Sequence, residues 1–178
     1  MLSQFILDSF ARIPPSTDIK NMYFGVYDRI LYEAFDPPTT FFAIGPDYPL
    51  TLTGLTVTFV VTTKNRPIFF LKIKPPAYVN SVPLRIAIDD QMRNIFYHLR
   101  DITALPRLHG ISVIGERLAF YCLDKATGKI DPEYIERSRS YGIDIVPASR
   151  WDLEITTAEG YQSFMEVVND VKEMVEGL

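Results

Sequence analysis

Side chains able to ligate a metal or act as a nucleophile are few in this chain, and their spacing excludes more chemistry than it suggests. His98, His109 and Cys122 are its histidines and its cysteine, and none has the paired spacing of a closed zinc site. Gly110-Ile111-Ser112-Val113-Ile114-Gly115 is one residue too long for the nucleophile elbow of a serine hydrolase, and neither a P-loop nor a GxGxxG glycine loop occurs. Cys122 alternates with Leu118 and Phe120 and reads as a buried, inert thiol on an apolar strand face. Lys72 and Lys74 carry more information. One strand repeat separates them, so their ammonium groups share a face, and with Arg93 across from them they form a candidate site for a phosphate or another anion that needs no metal. Asp89-Asp90 reads first as a solvated turn of helix and second as a replacement acid.

The elements that must position these residues follow from periodicity and punctuation. Ser3 is placed to cap a short helix with Phe5, Ile6 and Phe10 on one side, ended by Pro14-Pro15. After Ser16-Thr17-Asp18, residues Tyr23, Val26, Tyr27, Ile30, Leu31, Ala34 and Phe35 recur at helical spacing until Asp36-Pro37-Pro38. Thr40 to Ile44 predicts a strand and Gly45-Pro46-Asp47 a turn. Leu55 to Thr63 and Ile68 to Lys74, rich in β-branched and aromatic residues, predict a hairpin. With Lys64-Asn65-Arg66 as its loop, paired positions sum to about 130, which sets Thr58 opposite Lys72 and Thr56 opposite Lys74, with Phe70 and Ile68 on that same face. Leu84, Ile88, Met92, Ile95, Phe96, Leu99 and Ile102 trace a third helix behind Ser81.

Leu108 to Ile114 and Arg117 to Leu123, joined by Gly115-Glu116, predict a second strand pair, and Ile143 to Val146 a further short strand after a polar loop from Asp124 to Tyr141. Thr156 and Glu159 have capping-box spacing ahead of a last helix striped by Phe164, Val167, Val168, Val171, Met174 and Val175. The expected fold class is α/β: a single domain with a central mixed sheet flanked by helices. Within it, 1–15 is a helical extension, 16–123 the core, and 124–178 a loop, a strand and the C-terminal helix. Phe41, Phe42, Phe59, Phe69, Phe96, Phe120 and Tyr121 are read as core rather than as base-stacking platforms.

Composition narrows the function classes. The 178 residues, 47% apolar and 13% aromatic, suffice for one sizeable core. A formal charge of -4 excludes a protein that coats nucleic acid through its net field. The residues up to Leu105 hold 10 basic and 9 acidic side chains and the remainder 8 and 13, so a polyanion site belongs in the first part. One cysteine excludes an internal disulfide framework, and Asp8 and Arg12 interrupt the N-terminal apolar residues before a signal-peptide core develops. The apolar runs are far short of a membrane span, and the expectation is an intracellular protein with no transmembrane segment.

Taken together, Pro46-Asp47, the strand Phe69-Phe70-Leu71-Lys72-Ile73-Lys74-Pro75-Pro76 and Asp89-Asp90-Gln91-Met92-Arg93 resemble the PD-(D/E)XK superfamily. These are the nucleases of the restriction-endonuclease-like fold, and the likeness is greatest to small fungal proteins with a Phe-Phe-(Leu/Val)-Glu-(Ile/Val)-Lys-Pro strand. The resemblance extends from Thr17 to Leu123. It implies a restriction-endonuclease-like core in which two carboxylates hold Mg²⁺ or Mn²⁺ and a lysine two residues past the second orients the nucleophile. Matched by position, Lys74 is that lysine, Ile73 the variable residue, and Lys72 stands where the second carboxylate belongs. Asp47 matches the first carboxylate by its letters. Hairpin geometry instead sets the neutral Thr58 and Thr56 there, leaving Glu33 as the nearby acid of a kind that family members use. Gln91 and Arg93 are similar to the phosphate-contacting positions of RecB-like nucleases, with Ile95 where a tyrosine is expected.

Three readings result. The leading one is a degenerate nuclease-fold protein without cofactor, acting as a binding or scaffold module with Lys72, Lys74, Gln91 and Arg93 as the anion site for nucleic acid or another phosphate-bearing ligand. The second is an active nuclease using Lys74, Asp47 and Glu33, with Mg²⁺ or Mn²⁺ held by Asp47 and Glu33. The third, favoured by the acidic C-terminal part, is a protein-interaction module with a protein partner and no nucleic-acid role.

Overall fold

The computed structural model describes residues 1–14, 19–36, 41–49, 56–136 and 144–178. Pro15 and Ser16-Thr17-Asp18, Pro37-Pro38, Thr40, Leu55, Ile143 and the end of the loop expected up to Tyr141 lie outside the described residues.

Helix α1 (Gln4–Ala11) opens at Ser3, whose backbone carbonyl, not its hydroxyl, receives the first amides. Ile6 and Phe10 are buried as their spacing requires, whereas Phe5 is 67% exposed, a turn-width away from the buried stripe. A 3-10 turn (Lys20–Tyr23) leads into α2 (Phe24–Phe35), which buries Val26, Tyr27, Ile30, Leu31, Ala34 and Phe35 and ends on Asp36 in the left-handed region. Among the described residues the strands are β1 (Phe42–Pro49), β2 (Thr56–Thr63), β3 (Arg66–Lys74), β4 (Arg107–Ile114), β5 (Arg117–Asp124), β6 (Ile130–Asp131) and β7 (Leu153–Glu154). They form a seven-stranded sheet in the order β1-β2-β3-β4-β5-β6, with β7 also on β5. Neighbours are antiparallel except β3 and β4, which run parallel because α3 (Val82–Leu99) carries the chain across between them. Helix α4 (Ala158–Glu176) closes the fold.

The sheet has a helix layer on each face. Phe59, Val61, Phe69, Leu71, Ile73, Ile111 and Val113 pack with α1, α2 and α4, while Val60, Phe70, Leu108, Ile114, Ala119 and Tyr121 pack with α3 and Trp151. This alternation along β3 and β4 is the strand period of two. The expected single α/β domain with a mixed, helix-flanked sheet is therefore what forms.

Several local expectations change. Gly45-Pro46-Asp47 is not a turn but the interior of β1, kinked by a left-handed Asp47 with φ of 46°. The β2–β3 loop is the two-residue Lys64-Asn65, both left-handed (φ 48° and 60°), as the twist of a tight hairpin demands. A bulge between Val61 and Thr62 then restores the expected register, with Val61 opposite Phe69 and Phe59 opposite Leu71. That extra residue turns Ile68 onto the α2 face, away from Phe70. Residues 144–146 form no strand. Ile145 and Val146 are nevertheless buried, tied down by Arg85 of α3, which donates to the carbonyls of Val146 (2.8 Å) and Val79 (2.6 Å) and pairs with Asp144. The cap of α4 is Thr157, whose hydroxyl accepts from the Gly160 amide at 3.1 Å. Thr156 donates instead to the Glu116 carboxylate at 3.0 Å. Phe41 is 93% exposed rather than core.

Candidate functional site

The β3 strand presents Lys72 and Lys74 on the α3 face, following Phe70 at the strand period. Lys72 is only 8% exposed, and its parallel neighbour on β4 is Ser112. One rung past the Phe59–Leu71 pair, the Thr58 hydroxyl accepts from the Ile73 amide at 3.0 Å, which fixes Thr58 beside Lys72. From β2 to β5 the strand positions level with Lys72 are Thr58, Ser112 and Ala119, none of them acidic. Lys74, half-buried, ends the strand, and its carbonyl accepts from the Gly115 amide at 3.0 Å.

Asp47 occupies the β1 position level with this rung, between the pairs Pro46–Phe59 and Tyr48–Val57. Its left-handed backbone breaks the alternation: Asp47 is exposed, and Tyr48 packs against the α3-side core. Glu33 belongs to α2, in the helix layer of the other face, where it accepts from Arg29 at 2.7 Å on the exposed side. Among the described residues no three His, Cys, Asp or Glu side chains gather as a metal site would require.

Gln91 and Arg93 do not stand together. Two residues apart on a helix, they point about 160° from one another. The Gln91 Oε1 is buried and has no hydrogen-bond partner among the described residues. Arg93 faces the far side of α3: its Nε donates to Asp89 at 2.8 Å and its Nη2 to the Pro132 carbonyl at 2.6 Å, with the Tyr134 ring at 5.4 Å. That places it over β5 and β6 rather than over Lys72.

Asp89, expected in solvent, is 2% exposed. It accepts from Arg93, from Arg150 Nη1 at 2.6 Å and from the Tyr121 hydroxyl at 3.0 Å, so one carboxylate serves two guanidinium groups. Burial and the Asp89 carboxylate hold the Tyr121 hydroxyl far above its ordinary pKa, against the pull of Arg150. This cluster ties residues 145–151 to α3. No sequence signal marked it, because an Asp–Arg pair at i, i+4 is the usual pattern of an exposed helix face.

The Gly110 to Gly115 segment receives a structural explanation. A side chain at Gly110 would collide with the Phe70 ring, Gly115 makes the β4–β5 turn at φ 64°, and the Ser112 hydroxyl accepts from the buried Trp151 indole at 3.2 Å. A second charged cluster lies across the sheet, where Asp170 of α4 bonds His109 Nε2 at 2.6 Å and Arg107 at 2.5 Å. The same His109 nitrogen is 4.0 Å from Cys122 Sγ. Because acid and thiol meet one nitrogen, the three cannot work as a nucleophile, base and orienting acid, which needs the two ring nitrogens separately. Burial pushes the Cys122 thiol up to about 11.

No protein-family model matches this sequence, and no curated protein matches it. Among solved structures, the type IIG restriction endonuclease BpuSI is similar over 89% of this chain, with a TM-score of 0.51 and 11% identity. The fold is restriction-endonuclease-like. This chain covers 18% of the BpuSI chain, and at that identity the likeness is one of fold. The described helices include none long and apolar enough to cross a membrane.

Proposed function

We propose that this nuclease-fold chain has lost metal-dependent strand cleavage and serves as a binding module. The observation that carries the reading is Lys72: a nearly buried lysine flanked in the sheet by Thr58 and Ser112, at the position where the resemblance to PD-(D/E)XK nucleases calls for a carboxylate. A divalent cation about 4 Å from its ammonium would be repelled by roughly 8 kcal/mol at an effective dielectric constant of about 20, and the flanking strand positions Thr58 and Ser112 offer only neutral hydroxyl oxygens. Asp47 and Glu33 do not make up the loss, since one is turned outward on β1 and the other pairs with Arg29 in the opposite layer. Lys72 and Lys74 are the cationic side chains on this face of β3 that a phosphate-bearing ligand would engage.

The test is a plasmid-nicking assay with Mg²⁺ and with Mn²⁺, run alongside anisotropy measurements on a labelled oligonucleotide at low salt. No metal-dependent nicking, with oligonucleotide affinity reduced in Lys74→Ala, is the expected outcome. Nicking that requires Mn²⁺ and disappears in Lys74→Ala would restore the enzyme.

A further inference from the structure

We infer that the cleft between α3 and residues 128–134 is a nucleotide site, taking a phosphate on Arg93 and Lys129 and an amino-bearing base against Tyr97 and Tyr134. The cleft holds about 580 Å³, within the range of small-ligand sites.

Arg93 lines it with a guanidinium that is fixed on two sides. Nε and Nη2 bond Asp89 at 2.8 and 3.3 Å, and Nη2 also bonds the Pro132 carbonyl, which leaves Nη1 without a hydrogen bond among the described residues. Because Asp89 is shared with Arg150, the buried trio carries an excess positive charge beside the cleft. A prealigned guanidinium whose Nη1 can still donate is a phosphate receptor that needs little ordering on binding, on a lining that also holds the Asp90 and Glu133 carboxylates. Lys129, also lining the cleft, adds a second cation from a turn held by the Asp124 and Lys129 backbones at 2.9 Å and by Thr127 on the Asp124 carboxylate.

The walls suit a flat ring. Tyr97 of α3 and Tyr134 of the 128–134 segment are large aromatics on this lining, left 60% and 48% exposed. Such rings stack bases without regard to sequence. Asn94 and the Glu133 carboxylate share that lining, and both can accept from an exocyclic amine. Cations and acceptors on one lining disfavour a bare polyanion and select a ligand that carries both an anionic group and a donor. The site lies on the β6 side of α3, three strands from β3, and stands whether or not Lys72 excludes a metal.

The experiment is calorimetric titration of the full chain with AMP, UMP and adenosine and with a short single-stranded oligo(dA), repeated on Lys129→Ala and Tyr134→Ala. Both substituted positions are exposed, and unchanged melting temperatures confirm folded protein. AMP is expected to saturate the wild type, with adenosine and UMP each at least about five-fold weaker and each variant weakened about as much. Oligo(dA) competing with AMP would identify the natural source as a nucleic-acid strand, and AMP binding alone a free nucleotide; both support the site. No heat from either AMP or oligo(dA) at about 1 mM, or binding unchanged in both variants, overturns it.

Discussion

The Thr58 hydroxyl accepts from the Ile73 amide at 3.0 Å, carrying the β2–β3 pairing one residue past the last backbone rung at Phe59 and Leu71. A side chain thus does the work of a strand backbone beside Lys72. Thr58→Val leaves the buried Ile73 amide without its acceptor and is expected to lower stability by about 1–3 kcal/mol, while Thr58→Ser keeps most of it. Urea unfolding at unchanged slope measures this. A Thr58→Val protein as stable as the wild type would mean that the amide finds another partner.

Asp89→Ala strands Arg93 and Arg150 in the interior and is expected to cost about 3–5 kcal/mol. Glu33→Ala, which removes the partner of exposed Arg29, should cost about 0.3–0.5 kcal/mol. Equal losses in the two variants would refute the burial-based account of the Asp89 cluster.

Those two pairs show why the fold was more legible than the site. Arg29 with Glu33 and Asp89 with Arg93 have the same i, i+4 spacing and the same chemistry; what separates them is Arg150, 61 residues beyond Asp89. The apolar periodicities of α2, α3 and α4 and the β-branched runs of β2 to β5 are local signals that tertiary packing reinforces, so they could be read directly. The register around Lys72 was also readable, although by an offsetting pair of features, a two-residue turn and a bulge near Ile68, in place of a three-residue loop. Strands of two residues such as Ile130–Asp131 carry no periodicity to read, and the left-handed Asp47 inside β1 has the local composition of a turn. The resemblance to RecB-like nucleases sets Gln91 and Arg93 together, yet helix rotation sends them to opposite flanks of α3.

His109 gives a pH dependence with a definite sign. Burial holds its imidazole below the ordinary 6.5, outweighing the attraction of Asp170. The unfolded chain therefore binds the proton more readily, so stability is present in full above about 6.5 and falls as the pH drops below it. Urea midpoints between about pH 5 and 7.5 should slope in the wild type, and His109→Gln should remove that part of the slope. An identical profile in the variant would show that His109 does not set it.

Cys122, with its thiol pushed up to about 11, holds little thiolate near neutrality. Iodoacetamide at neutral pH should label the folded protein on the order of 100-fold more slowly than the urea-unfolded chain. Comparable rates in the two states would place the thiol in a more open, more polar setting.

The central claim concerns the charge at position 72. Titration of Mn²⁺ into the protein, followed by the loss of the free-ion electron paramagnetic resonance signal, measures it without reference to any substrate. The wild type is expected to leave the signal unchanged up to about 1 mM, and Lys72→Glu to bind with at least about ten-fold higher affinity. Saturable Mn²⁺ uptake by the wild type, lost in Asp47→Ala or Glu33→Ala, would contradict the account.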